Sequence, residues 1–242
     1  MDETDETDET DETDETDETD EMDDDTSHDA SRGDGAGPSA VVEVFADVWC
    51  PFAHVGLRDV VERRRRAGAD SPRFRVRAWP LEIVNGEPLD ATKVAAEITD
   101  IRGQVSDDLF AGFDPQQFPS STLVVLGTAE AAYRRGLDVG EAFSLAIRDA
   151  LFEEGRAVDD PRVLVDVAAR FGVEVPSADD ARAAVEADLA DGRRRGVTGS
   201  PHFFVAGESY FCPALDIAHD GDHLRISVDR GGLDRFLRRV FG

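Results

Sequence analysis

Cys50 is the residue of this sequence whose type and position point most directly to chemistry. It follows an alternating apolar run, VEVFADVW, and precedes PFAHVGLRDVV, which has helical spacing. A thiol at this junction lies at a helix N-terminus, where unpaired N–H groups and the helix dipole favour a thiolate. Dithiol redox sites at helix N-termini use the spacing Cys-x-x-Cys, but the second position here is Ala53. The sequence therefore predicts a reactive thiol without its usual partner.

His54 lies one helical turn after Cys50 and hence on the same helical face. An imidazole at this place can supply a positive charge or relay a proton. The alternative is an ordinary helix residue that faces solvent or the core, and both interpretations stay open at this point. Pro51 suits the first turn of a helix, where its missing N–H costs nothing. We predict that Pro51 and Phe52 contact a thiol substrate.

The elements that must position Cys50 are visible in the apolar periodicity. Residues 40–48 and 73–83 alternate and are predicted strands on either side of the helix that follows Cys50. From residue 91 to residue 195 the periodicity is helical. Strand patterns then return, first in PHFFVAGESYFC and next in HLRISV, and an amphipathic helix closes the chain.

This order of elements predicts an α/β protein with a thioredoxin fold. The second core strand would be followed by an all-helical insertion that ends before the third core strand. The predicted thioredoxin-like domain comprises residues 40–90 and 196–242, and the predicted insertion comprises residues 91–195.

Residues 1–39 are predicted to be a disordered acidic tail and linker. The triplet DET occurs six times from Asp2, and residues 1–34 carry two thirds of the net charge of −27. The repeat has no apolar side chain to bury and extends by self-repulsion. It is either an interaction or solubility tail, or a translated DNA repeat ahead of a start at Met22. The rest of the chain is moderately acidic, which argues against nucleic acid as a partner.

Three motifs of the chain resemble the DsbA-like thioredoxin family. They are FADVWCPFAHVG, ALFEEGRAVDDPRVLVDVAARFGV and GVTGSPHFFV, and together they place the resemblance over residues 41–242. The branch that they resemble contains FrnE-type oxidoreductases, 2-hydroxychromene-2-carboxylate isomerases and kappa-class glutathione transferases. FrnE-type members carry a cysteine where this chain has Ala53, and the isomerases and transferases carry serine where it has Cys50.

The resemblance implies that GVTGSP is the cis-proline loop of the family. Pro201 would then lie beside the active thiol, and the backbone of Ser200 would pair with an extended substrate. We expect the backbone of Ser200, rather than its side chain, to matter. Cys50, His54 and Pro201 are thus the predicted catalytic residues.

Two hypotheses explain which thiol takes the place of the second cysteine that this site lacks. In the first, which we prefer, Cys50 works alone and a low-molecular-weight thiol resolves its mixed disulfide as a co-substrate. In the second, Cys212 resolves it. A hairpin turn at Gly207–Glu208 would place Cys212 opposite Phe203, at the active-site end of the sheet. The competing interpretation is a cysteine that only packs in its strand.

Other kinds of site are not supported by the sequence. The segment HDGDHLR, residues 219–225, offers histidines and aspartates, but its Asp-Gly indicates a turn, and no further ligand follows at zinc spacing. We predict neither a metal nor a bound cofactor. No nucleophile-elbow motif is present. The N-terminus lacks a secretory signal, and no apolar run is long enough to span a membrane, so we expect a cytoplasmic location.

The sequence therefore predicts a thiol–disulfide oxidoreductase that works as a monothiol enzyme through Cys50 and whose partner is a thiol or disulfide substrate or a small metabolite. One alternative is a thiol-dependent isomerase or transferase on an aromatic or electrophilic metabolite, in which Cys50 takes the place of the serine. Another is a non-catalytic thioredoxin-fold module that binds partners through the helical insertion.

Overall fold

The central element of the fold is strand β1, Val41–Ala46. The computed structural model describes residues 41–69, 72–213, 215–220 and 223–241. β1 pairs in parallel with β2, Arg73–Ala78, and antiparallel with β3, His202–Val205. β3 in turn pairs antiparallel with β4, Glu208–Phe211, so that the sheet order is β2-β1-β3-β4. This arrangement of strands confirms the predicted thioredoxin fold.

Helix α1, Pro51–Arg66, connects β1 to β2 and carries the thiol at its start. Cys50 is the N-cap residue with an extended backbone, and Pro51 occupies the first helical position. The apolar side of the helix, which includes Leu57 and Val60, is buried. Four arginines occupy the last turn, where cations complement the helix dipole.

The chain between β2 and β3 is helical. It contains α2 Leu81–Asn85, α3 Ala91–Gln104, a 3₁₀ turn at Pro115–Gln117, α4 Leu123–Arg135, α5 Leu137–Phe152, α6 Pro161–Ala169 and α7 Ala178–Arg194. The described residues fall into one compact unit that includes these helices. The boundaries proposed for the insertion, residues 91 and 195, stay a prediction.

The hairpin between β3 and β4 differs from the prediction by one residue. Val205 pairs with Glu208, so the two turn residues are Ala206 and Gly207, not Gly207 and Glu208. Both turn residues have positive φ, 50° and 81°, as a type I′ turn requires. The predicted partner of Cys212 is therefore wrong. Continuing the observed register places Cys212 opposite Pro201, where its N–H donates to the Pro201 carbonyl at 3.0 Å.

β5, Leu215–Asp220, and β6, His223–Val228, form a second, two-stranded antiparallel sheet. That these strands form a sheet of their own was not predicted from the sequence. The Gln104 side chain at the end of α3 donates to the Leu224 carbonyl at 2.8 Å and accepts from the Ile226 N–H at 2.9 Å. Helix α8, Arg230–Phe241, then closes the chain.

Two predictions fall wholly or partly outside the described residues. The acidic tail does so entirely, and so do Gly221 and Asp222 in the segment considered for a metal. Within the described part of the chain, no cluster of three or more His, Cys, Asp or Glu side chains could hold a metal ion. None of the helices described here combines the length and the apolar character needed to cross a membrane.

Candidate active site

The thiol of Cys50 lies against the loop that precedes β3. Its Sγ–H donates to the carbonyl oxygen of Ser200 at 3.2 Å. The peptide bond between Ser200 and Pro201 is cis. The C-terminal end of β1 and the N-terminal end of β3 lie at the same end of the sheet because the two strands are antiparallel. Cys50, Ser200 and Pro201, which are distant in the sequence, therefore lie close together at this end of the sheet.

The side chain of Ser200 also takes part in the site. Its Oγ accepts a hydrogen bond from the Asp47 N–H at 3.0 Å. A hydrogen bond from the Ser200 side chain lowers the pKa of Cys50, because it stabilises the thiolate. The expectation that only the backbone of Ser200 matters was therefore incomplete.

Burial dominates the electrostatics of the thiol. Cys50 is 3% exposed, and desolvation raises its pKa to about 11. The hydrogen bonds from Ser200 and from the Ala53 N–H lower the pKa, while the charges of Glu97 and Asp47 raise it further. The sequence-based expectation of a lowered pKa is wrong for this conformation, because burial outweighs the helix N-terminus. At neutral pH the group is a neutral thiol.

Asp47 is a site residue that sequence reasoning missed. Its carboxylate is fully buried and accepts from the Val48 N–H and the Leu81 N–H, each at 2.6 Å, and from the Thr122 hydroxyl at 2.8 Å. Burial raises the pKa of Asp47 to about 6, against the effect of these hydrogen bonds. An aspartate inside an apolar run three residues before Cys50 is the feature that could have indicated it.

Arg148 on α5 is a second missed residue. It is 1% exposed and donates from Nη2 to the Asp47 carbonyl at 3.1 Å and from Nη1 to the backbone and hydroxyl oxygens of Ser144, each at 2.8 Å. Among the described residues, its Nε has no hydrogen-bond partner. Burial lowers the pKa of Arg148. In the sequence, the only indication of the Ser144–Arg148 contact is that these two polar residues lie four apart on the apolar face of α5.

His54 is placed differently from its predicted catalytic role. Its Nε2 lies 2.7 Å from Oε1 of Glu153, just after α5, and its ring packs against Phe110 and Phe152 at centroid distances of 5.3 and 5.0 Å. Burial lowers the pKa of His54, so the imidazole is neutral and donates to the Glu153 carboxylate. Within the described part of the chain, the contacts of the ring are to the helical insertion and not to the Cys50 thiol.

A thiol at a strand-to-helix junction, a cis-proline loop and a helical insertion are thus combined in one chain. The family model of the DSBA-like thioredoxin domain matches residues 41–224. The chain belongs to this family. Curated proteins offer no sequence match.

Solved structures resemble this DSBA-like chain at low sequence identity. A protein from Nitrosomonas europaea, provisionally named a protein disulfide isomerase, is 14% identical with a TM-score of 0.52, and the match covers 85% of this chain and 100% of that one. A 2-hydroxychromene-2-carboxylate isomerase is 13% identical, with 71% and 88% covered and a TM-score of 0.46. The cytosolic disulfide reductase DsbM from Pseudomonas aeruginosa is 18% identical, with 82% and 98% covered and a TM-score of 0.38. The first of these similarities supports the fold.

Three of the predicted site residues of this DSBA-like chain line a small apolar cavity of about 10 Å³. Phe52 of α1, Pro201 and Cys212 contribute to its wall. Pro51 is buried at the start of α1 and is not part of this lining. Cys212 is 7% exposed, and burial followed by the charge of Cys50 raises its pKa to about 12.

The raised pKa of Cys50 predicts how the alkylation rate of its thiol depends on pH. Alkylation of Cys50 by iodoacetamide is expected to accelerate about tenfold per pH unit from about pH 7 to pH 10, because the thiolate fraction grows in that proportion below the pKa. Mass spectrometry of the Cys50 peptide measures the rate. A short unstructured cysteine peptide serves as the control and levels off near its own pKa. A plateau for Cys50 below about pH 8 would contradict the prediction.

Proposed function

We propose that this chain catalyses thiol–disulfide exchange through Cys50. The observation that carries the proposal is the position of Cys50 Sγ at the N-terminus of α1, 3.2 Å from the Ser200 carbonyl and beside Pro201. An extended substrate that paired with this loop would bring its own sulfur next to Cys50. Membership of the DSBA-like thioredoxin family supports thiol or disulfide chemistry in general.

The proposed reaction begins with attack of the Cys50 thiolate on one sulfur of a disulfide, RSSR. A Cys50–S–S–R bond forms, and RS⁻ leaves and takes up the proton that Cys50 has lost. α1 offers no second thiol, because position 53 is alanine. A low-molecular-weight thiol, R′SH, then attacks the mixed disulfide, restores the Cys50 thiol and leaves as RSSR′.

Substrate access controls this chemistry. Cys50 is almost fully buried, and burial is the largest cause of its raised pKa. Local opening would remove this cause while the Ser200 hydroxyl and the Ala53 N–H, which both lower the pKa, lie on elements next to the sulfur. We infer that the thiolate forms when the site opens for a substrate. In this proposal the protein acts in the cytoplasm with a small thiol as its co-substrate and holds no cofactor of its own.

A second candidate function is supported by the neutral state of the thiol. Cys50 donates a hydrogen bond through its S–H, as a serine hydroxyl would. In a thiol-dependent isomerase, such a donor would orient the sulfur of a bound small thiol, which adds to the metabolite and leaves again without net oxidation. This function needs a hydrogen-bond donor at position 50 and not a nucleophile.

The test uses the Cys212→Ser variant, in which Cys50 is the single cysteine. After reduction and removal of the reductant, incubation with glutathione disulfide is expected to add one glutathione to Cys50, as read by peptide mass spectrometry. Turnover of a small disulfide by glutathione is expected in the wild type and is expected to fall to background in Cys50→Ser. Absence of the adduct, or turnover that survives Cys50→Ser, would contradict the proposal.

The same variants separate the second candidate from the first. Isomerisation of 2-hydroxychromene-2-carboxylate in the presence of glutathione would survive Cys50→Ser, because the hydroxyl donates as the thiol does. It would be lost in Cys50→Ala. Redox turnover would be lost in both variants.

A further inference from the structure

The two cysteines of the chain hydrogen-bond to consecutive carbonyls of the cis-proline loop. The Sγ–H of Cys50 donates to the Ser200 carbonyl at 3.2 Å, and the N–H of Cys212 donates to the next carbonyl, that of Pro201, at 3.0 Å. Cys50 immediately precedes α1, and Cys212 immediately follows β4. The observed hairpin register brings Cys212 to this position, two residues nearer to the loop than the sequence predicts.

The side chain of Cys212 faces the same space as the first turns of α1. It lines the small cavity together with Phe52 and Gly56 of that helix and with Pro201. Burial, and after it the charge of Cys50, raises the pKa of Cys212, so the two groups interact electrostatically. Both thiols are reduced and buried.

The backbone of Cys212 is held in an unusual conformation. Its φ is 41°, in the left-handed region that side-chain-bearing residues other than asparagine and aspartate seldom adopt. Two backbone hydrogen bonds maintain it, from its own N–H to Pro201 and to its carbonyl from the Leu215 N–H at 3.1 Å. A packed strand cysteine has no need of this conformation, and such outliers concentrate at functional sites.

We propose that Cys212 is the internal resolving thiol of Cys50. The proposal rests on the proposed function, because it needs the mixed disulfide that Cys50 forms. It changes the identity of the thiol that releases the substrate, from an external small thiol to a residue of the chain. A cysteine that follows β4 thereby takes the place of the cysteine that α1 lacks.

The step is balanced without a further oxidant. Cys212 loses its proton and attacks the Sγ of Cys50 in Cys50–S–S–R, so that a Cys50–Cys212 disulfide forms and RS⁻ leaves with that proton as RSH. The substrate half is reduced to a thiol, and the two cysteines are oxidised together. The low-molecular-weight thiol of the proposed function then reduces the internal disulfide in two exchange steps.

The experiment follows the fate of the mixed disulfide in the full chain. Reduced wild type, Cys212→Ser and Cys212→Ala are each treated with glutathione disulfide, quenched with acid at intervals and analysed by peptide mass spectrometry. The wild type is expected to give a peptide in which Cys50 is linked to Cys212 and to lose its glutathione adduct. Both variants are expected to retain the adduct on Cys50 and to lack the linked peptide.

With reduced glutathione added to about 0.1 mM, the expected difference in adduct lifetime is about tenfold, because an intramolecular thiol acts at an effective concentration on the order of millimolar. The linked peptide is read in the wild type, so the result does not depend on the folding of a variant. A wild-type adduct as long-lived as that of the variants, with no linked peptide, would overturn the resolving role alone. No adduct on Cys50 in any of the three proteins would instead overturn the proposed function.

Discussion

Replacing Glu141 by alanine is expected to lower the free energy of unfolding by about 3–5 kcal/mol. Glu141 on α5 is 3% exposed, and its carboxylate accepts from Arg64 at the end of α1 in a bidentate pair of 2.5 and 3.1 Å. It also accepts from the Phe74 N–H in β2 at 2.6 Å. The alanine variant would leave a buried guanidinium without its carboxylate and a buried N–H without an acceptor. Equilibrium unfolding in urea, followed by circular dichroism, measures the loss.

A paired replacement supplies the control for Glu141. In Arg64→Met with Glu141→Leu, both charges are removed and the volume is roughly kept, so this double variant is expected to be more stable than Glu141→Ala alone. The free energy of unfolding of the double variant would still lie below that of the wild type. The Phe74 N–H loses its bond to Glu141, and the Pro72 carbonyl loses the hydrogen bond that Arg64 donates at 2.6 Å in the wild type. A Glu141→Ala variant within about 1 kcal/mol of the wild type would show that the buried pair is not essential.

The start of α1 could be predicted because its causes are local. Pro51 at the first helical position and the apolar spacing after it lie within a few residues of each other. The turn after β3 could not be placed to the residue, since a glycine at position 207 fits either of two adjacent turns. The choice falls on Ala206–Gly207, where alanine takes a positive φ, once β3 is paired with both β1 and β4.

The site shows the same division between local and long-range causes. Motifs bring Cys50, Ser200 and Pro201 to attention, and the structure places these residues in contact. The pKa of the thiol could not be predicted, because it depends on burial by the whole fold and not only on the helix that follows. Arg148 donates to Asp47 across 101 residues of chain, a contact for which the sequence contains no local indication.

Replacing His54 by alanine is expected to lower the free energy of unfolding by about 3 kcal/mol. The ring is 1% exposed and fills the space between Phe110 and Phe152, so the variant leaves a cavity where α1 meets the insertion. Glu153 also loses a hydrogen bond, although its carboxylate keeps those from the Phe110 and Ala111 N–H groups at 3.0 and 3.1 Å. Urea unfolding at pH 7.5 or so measures the loss.

His54→Gln is the matched control, because its side-chain amide can donate to Glu153 in place of Nε2–H. The titration of His54 gives a second measurement. Burial lowers its pKa in the folded state, so below about pH 6.5 the unfolded chain binds a proton that the folded chain does not. His54 therefore contributes a loss of stability that grows as the pH falls through 6.5 towards the folded pKa, by up to about 1.4 kcal/mol per unit. This part of the pH dependence is expected to vanish in His54→Gln.

A proton relay to the thiol would have a different consequence. The pH dependence of Cys50 alkylation is expected to be the same in His54→Gln as in the wild type, because the ring contacts described here lead to Glu153 and the two phenylalanines. A shifted alkylation profile with unchanged stability would restore the catalytic role that the sequence predicts. Lower stability with an unshifted profile would establish His54 as the residue that joins the thiol-bearing helix to the insertion.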